Sequence, residues 1–177
     1  MLSIERLENV APGLRNHRNP RPRNIDWGAI IQGLGTPLPS DYVQLADHYP
    51  SITISDFLYV SRPTPGAEQE FMNAVRENLE VLQDLRDSEM THGYEVFPRQ
   101  GGLLGWGSSV DGDEFYWRTE GKTPDEWTVV VAGANDDWSS HNCGVTEYLA
   151  RLLSGTAPAH GLPPRIERGP ASLHYSG

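Results

Sequence analysis

An α+β fold with a mostly antiparallel central sheet and flanking helices follows from three features of this 177-residue sequence. Helical apolar spacing dominates residues 27–90. Short strand-like runs divided by turn clusters fill residues 94–143, and one more helical stripe closes the patterned part of the chain. No internal repeat is visible.

The first element rests on Trp27, Ile30, Ile31 and Leu34, which keep to one helical face and stop at Gly33 and Gly35. Pro39-Ser40-Asp41 then opens a second short helix, with Tyr42, Leu45 and Ala46 on one face, ending before Pro50. From Ser51 to Arg62 the sequence alternates and is rich in β-branched and aromatic residues, as one or two short strands require. The longest helix is expected over residues 67–90. Its apolar stripe runs Phe71, Val75, Leu79, Leu82, Leu85, with Glu68, Glu70, Glu77, Glu80, Asp84 and Asp87 on the other faces.

Strands follow at Tyr94 to Phe97, Leu103 to Gly107, Glu114 to Arg118 and Trp127 to Ala132, and a further one at Trp138 to Cys143. The turn clusters Pro98–Gly102, Ser108–Asp113 and Glu120–Asp125 divide them, and Asp111-Gly112 is a tight-hairpin signal. Along the third strand, Phe115 and Trp117 share one face, and Glu114 and Tyr116 the other. Trp127, Val129 and Val131 continue a sheet face. A closing helix near residues 145–154 carries Val145, Leu149, Leu152 and Leu153, with Gly155 as its stop.

Three regions follow: a flexible basic arm over residues 1–25, a single domain over 26–155, and a Pro-rich tail over 156–177. The arm's Arg15-Asn16-His17-Arg18-Asn19-Pro20-Arg21-Pro22-Arg23 reads as an extended linker because its prolines break helix, and both ends are expected to pack poorly. Apolar stretches such as Val129-Val130-Val131-Ala132 fall far short of the ~18 residues of a membrane span. Met1-Leu2-Ser3-Ile4-Glu5 lacks the basic start and apolar run of a signal peptide. The lone Cys143 excludes an internal disulfide and favours a reducing, cytoplasmic setting.

Charge is unevenly distributed. Residues 1–25 hold five arginines against Glu5 and Glu8, a net of +3, whereas residues 26–150 hold 21 acids against six bases, a net of −15. So negative a body repels phosphate backbones, which argues against nucleic acid as a direct ligand. It attracts basic proteins and speeds their encounter.

Catalytic chemistry finds little support. Ser108, Ser109, Ser139 and Ser140 lack a Gly-x-Ser-x-Gly elbow, and the neighbours Ser139-Ser140-His141 alternate between strand faces. Cys143 near His141 has no second Cys/His pair to complete a zinc site. Asp111-Gly112-Asp113-Glu114 resembles the start of a calcium loop, but position twelve is Lys122, which cannot ligate. No carboxylate pair is singled out, and no nucleotide-cradling glycine motif is present. The expectation is therefore a non-enzyme with no cofactor and no metal. Trp106, Trp117, Trp127 and Trp138 crowd the strand-rich third, where most fill core and one or two at a rim would suit binding.

Several pieces, in order, resemble the SMI1/KNR4 family of the SUKH superfamily over roughly residues 36–155. They are Leu38-Pro39-Ser40-Asp41-Tyr42; Leu103-Leu104-Gly105-Trp106-Gly107; and Gly112-Asp113-Glu114-Phe115-Tyr116-Trp117-Arg118-Thr119. Pro124-Asp125-Glu126-Trp127-Thr128-Val129-Val130-Val131 follows, then Trp138 and the closing run Thr146–Gly155. Asp47-His48-Tyr49-Pro50 stands where the family usually has a Gly- or Asn-rich turn. The resemblance implies a bacterial immunity protein that masks a cognate polymorphic toxin, often a nuclease, without catalysis. The acidic body suits a basic toxin as partner. The alternative is a regulatory scaffold docking onto a signalling or cell-wall enzyme. The expected interface is the acidic loops flanking the sheet: Asp111, Asp113, Glu114, Asp125, Glu126, Asp136, Asp137 and Trp138.

Overall fold

A computed structural model describes residues 3–49, 51–54, 56–157, 162 and 173–174. In chain order it contains α1 (Ser3–Val10), a 3-10 turn (Pro12–His17), α2 (Trp27–Leu34), α3 (Ser40–His48), β1 (Thr53–Ile54), β2 (Leu58–Val60) and α4 (Glu68–Asp87). Then come β3 (Leu103–Ser109), β4 (Glu114–Arg118), a 3-10 turn (Pro124–Glu126), β5 (Thr128–Ala132), β6 (Trp138–His141), α5 (Val145–Leu153) and β7 (Leu173–His174). The strands form one sheet in the order β6-β5-β4-β3-β2-β1-β7, with antiparallel neighbours throughout. The α+β fold is as the patterning requires.

Strand alternation sorts the side chains into two apolar clusters. On the front face, Leu104, Trp106, Phe115, Trp117, Val129 and Val131 meet Tyr42 and Leu45 of α3 and Tyr148 and Leu149 of α5. Tyr42 meets Trp117 edge to face with centroids 4.9 Å apart, and Tyr148 stands over Phe115 and Trp106 at 6.2 and 6.1 Å. On the reverse face, Leu103, Tyr116 and Val130 meet Leu82 of α4 and Val96. Helix α4 starts at the edge of the front cluster with Phe71, Met72 and Val75, and Leu79 touches both clusters. The stripe read from the sequence thus spans two cores.

Gly105 makes room for the Asn78 side chain of α4. A Cβ there would stand 2.6 Å from the Asn78 Oδ1, so that amide would have to move. Asp26 caps α2 by accepting from the Ala29 N–H at 2.9 Å, and Gly35 ends it in the left-handed region at φ 76°.

The expected flexible arm does not hold for residues 3–17. These form α1 and a 3-10 turn, with Ile4, Leu7 and Leu14 at 1%, 0% and 0% exposure, and α1 packs on α5 and α3. The signal was present: Ile4, Leu7, Ala11 and Leu14 step by three, four and three. Arginine and proline content outweighed it. The arm's charge is also used internally. Glu8, at 3% exposure, accepts from the Tyr49 hydroxyl at 2.7 Å and pairs with Arg18 at 3.1 Å and Arg15 at 3.4 Å; Arg6 pairs with Glu147 at 2.7 Å.

Residues 19–23 lie along the end of α3, where helix carbonyls lack partners. The Asn19 N–H donates to the His48 carbonyl at 2.8 Å, the Arg23 N–H to Asp47 at 3.0 Å, and the Arg23 guanidinium to Ala46 at 3.1 Å. The segment is docked by backbone hydrogen bonds.

The expected strand at Tyr94 to Phe97 is also corrected. Only Val96 bridges, in parallel, to Leu103, and the Thr91 hydroxyl donates to the Tyr94 carbonyl at 2.8 Å. The register of β2 covers Gly107 to Ser109 alone, and Val96 meets β3 beyond the end of that pairing. Of the Pro-rich tail, Leu162 is buried and Leu173–His174 pairs with β1; most of the rest lies outside the described residues.

Leu7→Ala should lower the unfolding free energy by about 3 kcal/mol, the usual cost of truncating a fully buried leucine. Urea titration checks this. A loss below about 0.5 kcal/mol, typical of surface sites, would return the segment to a peripheral role.

Candidate functional site

Parity along β4 places Glu114 and Tyr116 on the reverse face, because Phe115 and Trp117 belong to the front core. Glu114 pairs across the strands with Ala132, and Ala132 with Trp138, so the three form one row. Two strand spacings separate the outer members, about 10 Å between backbones. The small Ala132 between them leaves a gap in the sheet surface.

Helix α4 does not cover that gap. It ends at Asp87, and the chain turns back through Glu89 (φ 61°), His92 (φ 51°) and Gly93 (φ 83°). Opposite lies the β5–β6 turn, with Asp136 at φ 65°. His92 Nε2 and Asp136 Oδ1 stand 2.8 Å apart and tie the two turns together. Between them opens a cleft of about 680 Å³. Tyr116, Ala132 and Trp138 form its floor, Leu85 and Met90 one wall, and Glu89, Glu114 and Asp136 its acidic groups.

The floor is braced by aromatic stacking. Trp138 lies parallel to His92 at 5.2 Å, to Tyr94 at 5.7 Å and to Tyr116 at 6.4 Å between centroids. Arg118 sits 6.0 Å from the Tyr94 ring centre on the far side of this group. Met90 remains 58% exposed at the rim.

Glu114 is the electrostatically unusual member. Burial pushes its carboxyl above the ordinary carboxylate range; the Asn78 amide opposes this, and the Asp113 charge adds to it. Its hydrogen bond from Asn78 Nδ2 is long, at 3.3 Å, and no arginine, lysine or histidine pairs with it among the described residues. Glu95 shows the contrast. Bonded by Arg86 at 2.8 Å and Arg99 at 2.7 Å, it is held down at about 2. Burial also raises the Tyr116 hydroxyl, and the Glu114 charge raises it further.

The eight residues expected at the interface divide. Asp111, Asp113, Glu114, Asp136, Asp137 and Trp138 gather at one end of the sheet, where the β3–β4 and β5–β6 turns adjoin. Asp125 and Glu126 occupy the β4–β5 connection at the opposite end. There Asp125 Oδ1 takes the Ser40 N–H at 2.6 Å and caps α3, and Glu126 Oε2 takes the Lys122 N–H at 2.9 Å. Asp113 is corrected from a surface residue to a buried one, at 2% exposure. Its carboxylate accepts from the Ala134 N–H at 2.9 Å and from the Ser109 hydroxyl, locking the two turns together. Asp111, Asp136 and Asp137 are exposed. Missed from sequence were His92, Met90 and Glu89, which follow the long helix and carry no motif.

A second group of polar residues lies at the end of β6. Ser139 Oγ is 3.1 Å from His141 Nε2, and burial followed by the Arg151 charge lowers the imidazole. No carboxylate bonds His141 among the described residues, so the orienting member of a triad is missing there. Cys143 is half-buried, and burial raises its thiol. Among the described residues no group of three His, Cys, Asp or Glu side chains could hold a metal ion. No described helix is long and apolar enough to cross a membrane. No protein-family model, curated protein or solved structure matches the chain.

Glu114→Gln tests the cost of the buried charge. A carboxyl raised on folding is destabilising when ionised, so the native state gains as pH falls through its raised value. Glu114→Gln should therefore be at least as stable as the parent at pH 7, with any gain vanishing below about pH 4, near the ordinary carboxylate value. Thermal unfolding from pH 4 to 8 reads this out; a stability loss at pH 7 that is absent at pH 4 would mean the charge is compensated.

Proposed function

We propose that this chain is a non-catalytic protein-binding module, an immunity-type protein that neutralises a cognate toxin by masking it. The partner would be basic, as a nuclease that must itself attract phosphate is. The carrying observation is the acidic end of the sheet. Asp111, Asp136 and Asp137 stand exposed around a cleft with an aromatic floor and an exposed methionine at its rim. Aromatic and methionine anchors inside a charged rim are what protein interfaces use. The similarity of the β3–β5 segments and the closing helix to SMI1/KNR4 proteins supports the same reading.

The direct experiment is growth rescue. The toxin-like reading frame beside the gene is expressed in a host with and without the 177-residue chain. Rescue with a co-purifying complex supports immunity. A toxic neighbour that is not rescued overturns it, and a housekeeping signalling or cell-wall enzyme as the binding partner replaces it with the scaffold role.

The acidic rim should act mainly on the encounter rate. Asp111 and Asp137 are exposed, and among the described residues no hydrogen bond reaches either side chain, so their reversal spares the fold. Asp111→Lys with Asp137→Lys should slow toxin association about tenfold at low salt and much less at 0.5 M salt, since steering is screened. Stopped-flow association at several ionic strengths checks this; an unchanged rate at low salt would place the contact elsewhere.

A further inference from the structure

Three other glutamates show what Glu114 lacks. Glu8 holds Arg15 and Arg18, Glu95 holds Arg86 and Arg99, and Glu147 holds Arg6 and Arg151. In these three, two guanidinium groups converge on one carboxylate, and the half-buried Glu68 is met by the Asp26 and Gly66 N–H groups. Glu114 is half-buried and lines the cleft, yet only an amide meets it, at 3.3 Å. The other end of that amide, Asn78 Oδ1, is buried and has no hydrogen-bond partner. That oxygen lies against Gly105 and outside the lining of the large cleft, so Glu114 is the acceptor that this corner presents without a cation. Glu114 lines the large cleft and also a smaller cavity of about 190 Å³ shared with Asn78, Gly105 and Ser108.

We infer that this corner of the cleft is the receptor for one arginine side chain of the protein partner, with Glu114 as its counter-ion. The inference rests on the protein-binding reading above and names the group that the site recognises. Four features select arginine. The gap over Ala132 admits a flat group between Glu114 and Trp138. The floor is aromatic, and a guanidinium packs on aromatic faces with less desolvation than an ammonium. Its planar fork can bond both oxygens of a carboxylate at once, whereas an ammonium is a single point charge. No described lysine or arginine lines the cleft, and its histidine, His92, is engaged with Asp136. Seating the guanidinium would convert a carboxyl that is costly to bury into the doubly bonded arrangement found at Glu95.

The probes are N-acetyl-arginine amide, N-acetyl-lysine amide and N-acetyl-citrulline amide, titrated into the full chain. The readout is the indole N–H signal of Trp138 in two-dimensional NMR. The arginine probe should give a saturable shift in the millimolar range, the lysine probe a weaker one, and uncharged citrulline none. Glu114→Gln should weaken the arginine response at least tenfold. Ala132→Phe, which fills the gap and leaves the carboxylate in place, should do the same, and a folded spectrum for each variant excludes trivial loss. An equal response to citrulline, or an arginine response unchanged in Glu114→Gln, overturns the assignment. The growth-rescue assay separates the two claims. Rescue without an arginine response leaves immunity standing and removes this receptor; an arginine response without rescue keeps the receptor and removes the toxin as its partner.

Discussion

The two-residue period of β4 constrains everything else in this structure. Phe115 and Trp117 must enter the front core, where Tyr42, Trp127 and Tyr148 pack around them. Glu114 and Tyr116 are then committed to the reverse face, since a one-residue slip would exchange both sets. A tryptophan of this size buried at 1% exposure makes such a slip very costly. The carboxylate of Glu114 is thus held on a partly covered surface by the packing of its neighbours on the other side. Asp113, one residue earlier, fixes the strand's entry by bonding Ser109 and Ala134.

Coverage of the two faces is unequal, and the inequality creates the cleft. Helices α3 and α5 lie over the front, with α1 packed on both. The reverse face has α4 and the Val96 segment, which bury Leu103, Tyr116 and Val130 but end short of the Glu114–Ala132–Trp138 row. Longer cover would have closed the cleft; a larger residue at position 132 would have filled it. The aromatic stack of His92, Tyr94 and Tyr116 around Trp138 braces what remains open.

Much of this was legible from residue patterns. Glycine and proline punctuation located α2, α3 and the hairpins, and the stripe from Phe71 to Leu85 located α4. Two kinds of information were not local. The N-terminal segment is masked by Arg6, Arg15 and Arg18, whose partners Glu147 and Glu8 identify themselves only once the chain is folded. Among the acidic loops, exposed and structural carboxylates carry the same sequence signature. Asp113 and Asp125 serve backbone N–H groups 21 and 85 residues away, and no spacing rule reports such contacts. The cleft needed the end of α4 and the β5–β6 turn to meet, through His92 and Asp136, 44 residues apart.

The distribution of cost over the structure separates the cleft from its surroundings. Other carboxylates are compensated: Glu8 by two arginines and a tyrosine hydroxyl, Asp41 by the Thr146 N–H and hydroxyl. Glu114, at the cleft, has only the Asn78 amide. Glu89, His92 and Asp136, three of the five non-glycine residues at positive φ among the described residues, line the cleft, and such backbone is disfavoured for residues with a Cβ. Glu114 adds a half-buried carboxylate with no cation beside it among the described residues. Left-handed backbone and an unpaired carboxylate thus meet on one cleft. A surface whose only task was solubility would require neither. A surface that must receive a cationic group from outside requires its acceptors to be held ready and unpaired, and that readiness is the cost this part of the protein carries.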